Sequence, residues 1–423
     1  MKVLWVCNIM MPTIAEQLSK PATSGGGWLT GLSNDLQKNK DIELTVCFPG
    51  YGKDGYVRGK YGNISYCSFP KKITNPTIYE KEVENELKKI IDEFKPDIVH
   101  IWGTEFPHSL AMMNVCESEK TVISIQGLCS VIAKHYMAFL PNKIQKSYTI
   151  RDFIKRDNLK QQQKKFIKRG NFEIEALRKC KNVIGRTSWD KASVNKINET
   201  ARYYFANETL RDSFYINEWN IDRCEKHSIF LSQGNYPVKG LHLMLEAMPG
   251  ILRIYPDAHL YIAGEDITKF YGIKDKFRIS TYGKYLLKLI NKYDLNKNVT
   301  FTGILNEKEM CDRMLKSNVF VCPSSIENSP NSLGEAMLLG IPSVASYVGG
   351  IPDMLKHNEE GFLYQCDATY MLEEYVCRIF HERDIALNFS KKSKYRANST
   401  HNKEINSNRI MEIYKDIYNK EVT

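Results

Sequence analysis

The sequence predicts an α/β protein built from two doubly wound parallel-sheet domains. Short β-branched runs alternate with longer helical stretches along almost all of the 423 residues, which is the rhythm of successive βαβ units. The runs are apolar throughout, as strands covered by helices on both faces should be. They also fall into two sets, and at ~150 residues per domain the chain has room for two cores.

The first set comprises Val3–Cys7, Glu43–Phe48, Ile98–Trp102, Thr121–Ile125 and Asn182–Arg186. The second comprises Ser228–Ser232, His259–Ala263, Asn298–Thr302, Asn318–Cys322 and Ser343–Ser346. Between them, Lys191 to Lys226 is polar and aromatic (Arg202-Tyr203-Tyr204, Phe214-Tyr215, Trp219) and reads as the last helix of the first domain and a linker without a strand. The boundary is set near Asp222, giving domains at 1–222 and 223–404. Ile410, Ile413 and Ile417 have helical spacing, so a helix over about 405–423 is expected to return to the first domain. Ligands of open α/β sheets bind at the carboxyl ends of strands, so two such domains facing each other would enclose a cleft, and function should lie in the loops after strands.

Composition narrows the classes. With 43% hydrophobic and 26% charged residues, the chain is neither disordered nor fibrous. A formal charge of +10, from 59 Lys+Arg against 49 Asp+Glu, favours acidic partners. Eleven scattered cysteines without a C-x-x-C support neither a disulfide framework nor a zinc site, and they read as reduced thiols. No apolar run is long enough for a membrane span, and Val3–Cys7 is too short for a signal-peptide core. The expected location is the cytoplasm, with attachment to the inner membrane face an added expectation. That addition rests on Ile154–Arg169, where seven basic residues meet one Asp among Ile154, Leu159, Phe166 and Ile167. Such a basic amphipathic helix suits an anionic membrane, though a charge run is more often a solvated surface.

Chemistry concentrates after Val319–Cys322. Ser332 and Glu335 have S-x-x-E spacing, that of a capping box, so a helix should begin near Asn331 or Ser332. Unsatisfied amides at a helix start, aided by its dipole, are a seat for a diphosphate. Glu327 lies just outside that helix and Glu335 in its first turn. Carboxylates repel phosphate, so beside such a seat they are suited to sugar or ribose hydroxyls. Gly25, Gly26 and Gly27 precede an apolar-periodic stretch and read as a tight loop opening a helix. They lack the G-x-G-x-x-G register of dinucleotide dehydrogenases. Nothing in the cleft loops has metal-ligand spacing.

Glu327 and Glu335 form E-x7-E, followed by Glu335-Ala336-Met337, Gly340-Ile341-Pro342-Ser343-Val344 and Val348-Gly349-Gly350-Ile351-Pro352. Together with Lys239-Gly240-Leu241, Ala263-Gly264 and Asn298 to Gly303, this series resembles the nucleotide-binding half of retaining glycosyltransferase family 4, of GT-B fold. The resemblance implies that Glu335 holds the donor ribose and Glu327 the transferred sugar. It implies that the amides of Asn331, Ser332 and Leu333 meet the diphosphate, that Lys239 neutralises the leaving phosphate, and that Ile304 and Leu305 read the base through their backbone. It places the glycine triplet on the acceptor side and implies independence of metals and cofactors, a nucleoside diphosphate sugar donor (UDP by default) and a lipid-linked or glycan acceptor. Gly185 to Asp190 and Asn207 to Arg211 look similar to a subgroup found in surface-polysaccharide assembly.

Two positions depart from the family. Gly234 stands where an arginine commonly precedes the lysine by five residues, and Gln126 stands where the first-domain loop often begins with His. Arg186, at the end of its strand, is a candidate to supply the missing charge, with a structural ion pair as the alternative. His100 and His108 are candidates to face the acceptor, His108 ahead. The rival readings are an inactive sugar-nucleotide binding scaffold, a dehydrogenase without its fingerprint, and a nucleic-acid binder without a known motif.

Overall fold

A parallel strand with helices on both sides has two buried faces, and the central strand Lys2–Cys7 (β1) shows what that requires. Val3, Trp5 and Cys7 enter one apolar cluster with Leu29, Leu32 and Leu36 of the helix Gly27–Leu36. Leu4 and Val6 enter another with Val83, Leu87 and Ile90 of the helix Glu82–Phe94. Side chains alternate across the sheet, so both parities must be apolar. The computed structural model describes residues 1–20, 26–50, 57–69, 75–269, 272, 275 and 277–422. They form two compact units, one of Met1–Ala133, Lys165–Leu210 and His401–Thr423, the other of Lys134–Lys164 and Arg211–Thr400. The chain thus changes unit at Leu210, ahead of Asp222, and residues 134–164 group with the second unit.

In the first unit β1 is followed by β2 (Glu43–Pro49), β3 (Arg58–Tyr61), β4 (Ile64–Phe69), β5 (Ile98–Trp102), β6 (Thr121–Ser124), β7 (Asn182–Gly185) and β8 (Arg202–Phe205). Their order is β3-β4-β2-β1-β5-β6-β7-β8, and β3–β4 is the antiparallel pair among these described strands. β8 corrects the expectation that residues 191–226 hold no strand: Gly185 pairs in parallel with Phe205. Its signal is faint because Arg202 and Phe205 are exposed at the sheet's edge. The helix Lys403–Val422 buries Ile410, Ile413, Tyr414 and Ile417 in the β1 cluster. There Trp5 Nε1 donates to Tyr414 Oη at 2.9 Å.

The second unit carries β9 (Ser228–Leu231), β10 (His259–Ile262), β11 (Val299–Phe301), β12 (Val319–Cys322), β13 (Ser343–Ser346) and β14 (Phe362–Tyr364), in the order β11-β10-β9-β12-β13-β14. In both sheets the chain first winds to one side of the starting strand and then crosses to the other. The reversal falls between β1 and β5 in one sheet and between β9 and β12 in the other. Crevices for ligands open at such points, outside the carboxyl ends of the strands.

Residues 154–169 do not form one amphipathic helix. A helix ends at Lys155, Arg156 takes a left-handed φ of 49°, and a new helix runs Leu159–Lys179. Among the described residues no helix is long and apolar enough to cross a membrane. All eleven cysteines are free thiols.

Candidate functional site

In the second unit the loops after β9 and β12 interlock. Pro237–Lys239 form a 3-10 turn that ends at Gly240, whose φ is +71°. A Cβ on Gly240 would be driven into the carbonyl oxygen of Pro323, so only glycine permits this approach. The contact brings Lys239 beside Glu327: Nζ lies 2.6 Å from Oε1, and Ser324 Oγ donates to the same oxygen at 2.7 Å. Burial works against the ammonium charge, yet the Glu327 carboxylate holds the Lys239 pKa above its ordinary value. The backbone of Glu327 is pinned from the other side. Gly350 N–H donates to its carbonyl at 3.1 Å, and a Cβ on Gly349 would meet that same oxygen. The Val348-Gly349-Gly350 motif therefore serves as a floor under Glu327.

Four residues on, the helix Asn331–Leu339 begins, where the sequence placed it but with a different start. Its N-cap residue is Pro330, no side chain caps it, and Glu335 does not close a capping box with Ser332. Leu333 N–H donates to Pro330 O at 3.0 Å and its side chain is buried, so its amide is already engaged. The amides of Asn331 and Ser332, in the first turn, have no intrahelical acceptor. Glu335 turns instead to a residue the sequence reading quoted without a role. Arg211 Nε and Nη2 donate to its two carboxylate oxygens at 2.6 and 2.7 Å. Burial pushes the Glu335 pKa up, with Arg211 opposing. This fork–fork geometry fixes the plane of the carboxylate.

A Cβ on Gly234 would meet Leu241 and Ile262, so this position is packed close against apolar side chains. At the opposite edge, Gly303 has a φ of +81° with nothing within 4 Å of a Cβ, and Ile304 is exposed beside Leu305.

In the first unit the structure reassigns three candidates. Arg186, expected as a phosphate cation, is buried with Nη1 2.5 Å from Glu208 Oε2, while Gln126 Nε2 donates to Glu208 Oε1 at 2.6 Å. Its guanidinium is spent on a buried ion pair, the structural alternative. His100 is a core residue between Tyr414 Oη and Ser124 Oγ, both at 2.6 Å, and burial holds its pKa well below the usual range. His108 is buried with its ring stacked on Phe106, near Phe69, which corrects its placement beside an acceptor. Gly26, with φ +89°, precedes the helix that Gly27 begins; Gly25 lies outside the described residues.

Sequence reasoning missed Asn8 and Glu105, which follow β1 and β5 at the reversal point. Asn8 Nδ2 donates to Glu105 Oε2 at 2.9 Å. Gly103 lies between them at φ +90°, where a Cβ would strike both side chains. Asn8 Oδ1 is buried and has no partner among the described residues. Burial raises the Glu105 pKa, against hydrogen bonds from backbone amides and Asn8 and the nearby charge of Arg169. The available signal was Gly103 directly after a central strand.

Two reversal points furnished with charged and polar side chains are the arrangement in which open α/β sheets bind ligands, and comparison with known proteins adds to it. Residues 214–396, inside the second unit, match the family model of glycosyl transferases group 1. Spore coat protein SA of Bacillus subtilis (strain 168) is 30% identical over 129 residues, covering 30% of this chain and 32% of that protein. The chain spans about a third of the length of the first curated relatives it matches. Solved structures align over nearly the whole chain. Sucrose-phosphate synthase from Thermosynechococcus elongatus has a TM-score of 0.72 at 14% identity, covering 99% of this chain and 100% of that one. Anabaena HepE in complex with UDP-glucose has a TM-score of 0.67 at 13% identity, covering 98% and 100%. The chain has the fold of these solved GT-B proteins, and its residues 214–396 match the glycosyl transferases group 1 model.

Proposed function

We propose that the protein transfers a sugar from a nucleoside diphosphate sugar, UDP first among the candidates, to a hydroxyl of a lipid-linked or oligosaccharide acceptor in polysaccharide assembly, with retention of anomeric configuration. The observation that carries this reading is the Lys239–Glu327 pair, 2.6 Å apart at the β9/β12 reversal and followed by the helix start at Asn331. Breaking the glycosyl–phosphate bond develops positive charge on the sugar and negative charge on the departing oxygen. Lys239 and the amides of Asn331 and Ser332 are fixed donors for that oxygen, and fixed donors favour the transition state over the ground state. Glu327 accepts from the sugar's hydroxyls. Glu335, held flat by Arg211, accepts from the ribose, and the backbone at Ile304 and Leu305 receives the base. HepE, a structural neighbour, is solved in complex with UDP-glucose, which supports UDP.

On the acceptor side, Glu105 takes a hydrogen bond from the incoming hydroxyl and Asn8 Oδ1 is a second acceptor for a sugar OH. Arg186, through Glu208, positions Gln126. The leaving charge has its counter-charges in the protein, so the reading calls on no divalent metal, and turnover should survive EDTA.

A thermal-shift screen against UDP, GDP, ADP and their sugars tests donor binding, because a ligand selective for the native state raises its melting temperature. NMR of the anomeric proton in the product then reads the stereochemistry. An inverted product removes the retaining mechanism. Binding without transfer or slow donor hydrolysis makes the protein a sugar-nucleotide binding scaffold, the second reading to which Gly234 points.

A further inference from the structure

Residues 134–164 contain a helix mounted inside out. Ile150–Lys155 is capped by Thr149, whose Oγ1 accepts from Asp152 N–H and donates to Ile279 O at 2.8 Å. Asp152 is buried and accepts from both the amide and the hydroxyl of Thr281, at 2.8 and 2.5 Å. Arg151 is turned toward Asp152 and Asp157. The polar side of the helix is therefore its anchored side. Ile150, Phe153 and Ile154, at i, i+3 and i+4, form one stripe, and it faces outward: Phe153 is 74% and Ile154 64% exposed. Tyr148, 66% exposed, has its ring 6.4 Å from that of Phe153, and Phe139 is exposed in the same segment.

The charge around this stripe has one sign. The exposed charged side chains of residues 134–164 are all basic, among them Lys143, Lys146, Lys155 and Arg156, whereas the two acidic residues, Asp152 and Asp157, are turned inward to Arg151. A soluble surface gains nothing from apolar rings held outward by buried hydrogen bonds. An interface with acyl chains beneath and phosphates around does gain, because rings enter the headgroup boundary while lysines and arginines meet the anions.

We propose that this helix and its flanks dock the protein on an anionic lipid bilayer, with Phe153 and Ile154 inserted and Lys155 and Arg156 on the phosphates. The docking element is the short helix 150–155, not the continuous 154–169 helix that composition suggested.

The test is co-sedimentation of the full chain with phosphatidylcholine vesicles containing or lacking phosphatidylglycerol, at low and high salt. The expected result is binding to phosphatidylglycerol vesicles that high salt abolishes. A Phe153→Ser, Ile154→Ser double variant should partition about tenfold less, and a Lys155→Glu, Arg156→Glu variant should lose the anionic preference. UDP-dependent thermal shift checks that both variants are folded and is independent of the docking outcome; if UDP does not bind, the position of their unfolding transition serves. Failure of the wild-type chain to sediment with phosphatidylglycerol vesicles overturns the proposal, as does equal sedimentation of the apolar double variant. Concentration-dependent self-association that the same variant abolishes, without vesicle binding, would make the stripe a contact between copies and also overturn it.

Discussion

Lys239 and Glu327 pair at 2.6 Å, so removing the lysine acts twice: it deletes the donor proposed for the departing oxygen and leaves a largely buried carboxylate with Ser324 but without its counter-charge. Lys239→Met is expected to lower kcat by about 10²- to 10³-fold, the usual loss for a fixed donor at developing negative charge, measured by release of nucleoside diphosphate. Arg211→Ala leaves the buried Glu335 without its fork. Donor KM should rise by at least about tenfold, and Arg211→Lys should restore little, since an ammonium cannot bond both oxygens in one plane. Glu105 supplies a pH signature. Its carboxyl is held above the ordinary range, and on the proposed reading it accepts the hydrogen bond of the acceptor's hydroxyl best when ionised. The acid limb of kcat/KM should therefore lie above the usual carboxylate pKa, and Glu105→Gln should flatten that limb while donor affinity stays unchanged. Lys239, Glu327 and Glu335 were legible because the spacing of charged groups around glycines survives in a linear string. Arg211 and Asn8 were not, because each meets its partner only after the sheet has assembled, across 124 and 97 residues.

Among the elements, the helix Cys129–His135 starts on a carboxylate from elsewhere in the chain. Glu173 is fully buried and accepts from the amides of Cys129 and Ser130 and the hydroxyls of Ser130 and Thr104. Gly170, one turn earlier, allows the approach, because a Cβ there would strike the Ser130 backbone. Burial outweighs these bonds and pushes the Glu173 pKa up to about 7. The folded state then holds a proton that the unfolded chain has released, so this contribution is fully present below about pH 4.5 and is lost as pH rises through 7. Denaturant midpoints of wild type and Glu173→Gln, compared from pH 4.5 to 8, should diverge by about 3 kcal/mol across that window; parallel curves would contradict it. The C-terminal helix offers a second case: Tyr414→Phe removes the acceptor of Trp5 Nε1 and the partner of His100, and should cost about 1–3 kcal/mol in urea unfolding. The elements themselves were mostly readable. Each of the ten expected strands appears within a residue or so at either end. The missed ones, β3, β4, β8 and β14, lie at or next to sheet edges: β3 and β8 are half-exposed and lose their apolar run, β4 is buried but its run is broken by Ser65 and Ser68, and β14 shrinks to three residues.

At the scale of the whole molecule, the two sheets repeat one plan, a winding reversal that carries a polar pair beside a positive-φ glycine: Asn8 and Glu105 at Gly103, Lys239 and Glu327 at Gly240. Saturating UDP at about a hundredfold over Kd should stabilise the protein by about 2.7 kcal/mol. Hydrogen-exchange protection should concentrate at 234–240, 303–305 and 324–335, and protection spread evenly over both units would argue against the donor seat. The interlock at Gly240 also governs how this fold could be re-engineered. A graft that swaps the turn bearing Lys239 must bring its matching Pro323 segment with it, since the two main chains touch with no room for a methyl group. At Gly303 a Cβ would meet nothing within 4 Å, so a graft of that edge needs no matching segment of this kind, only a glycine to keep the φ of +81°.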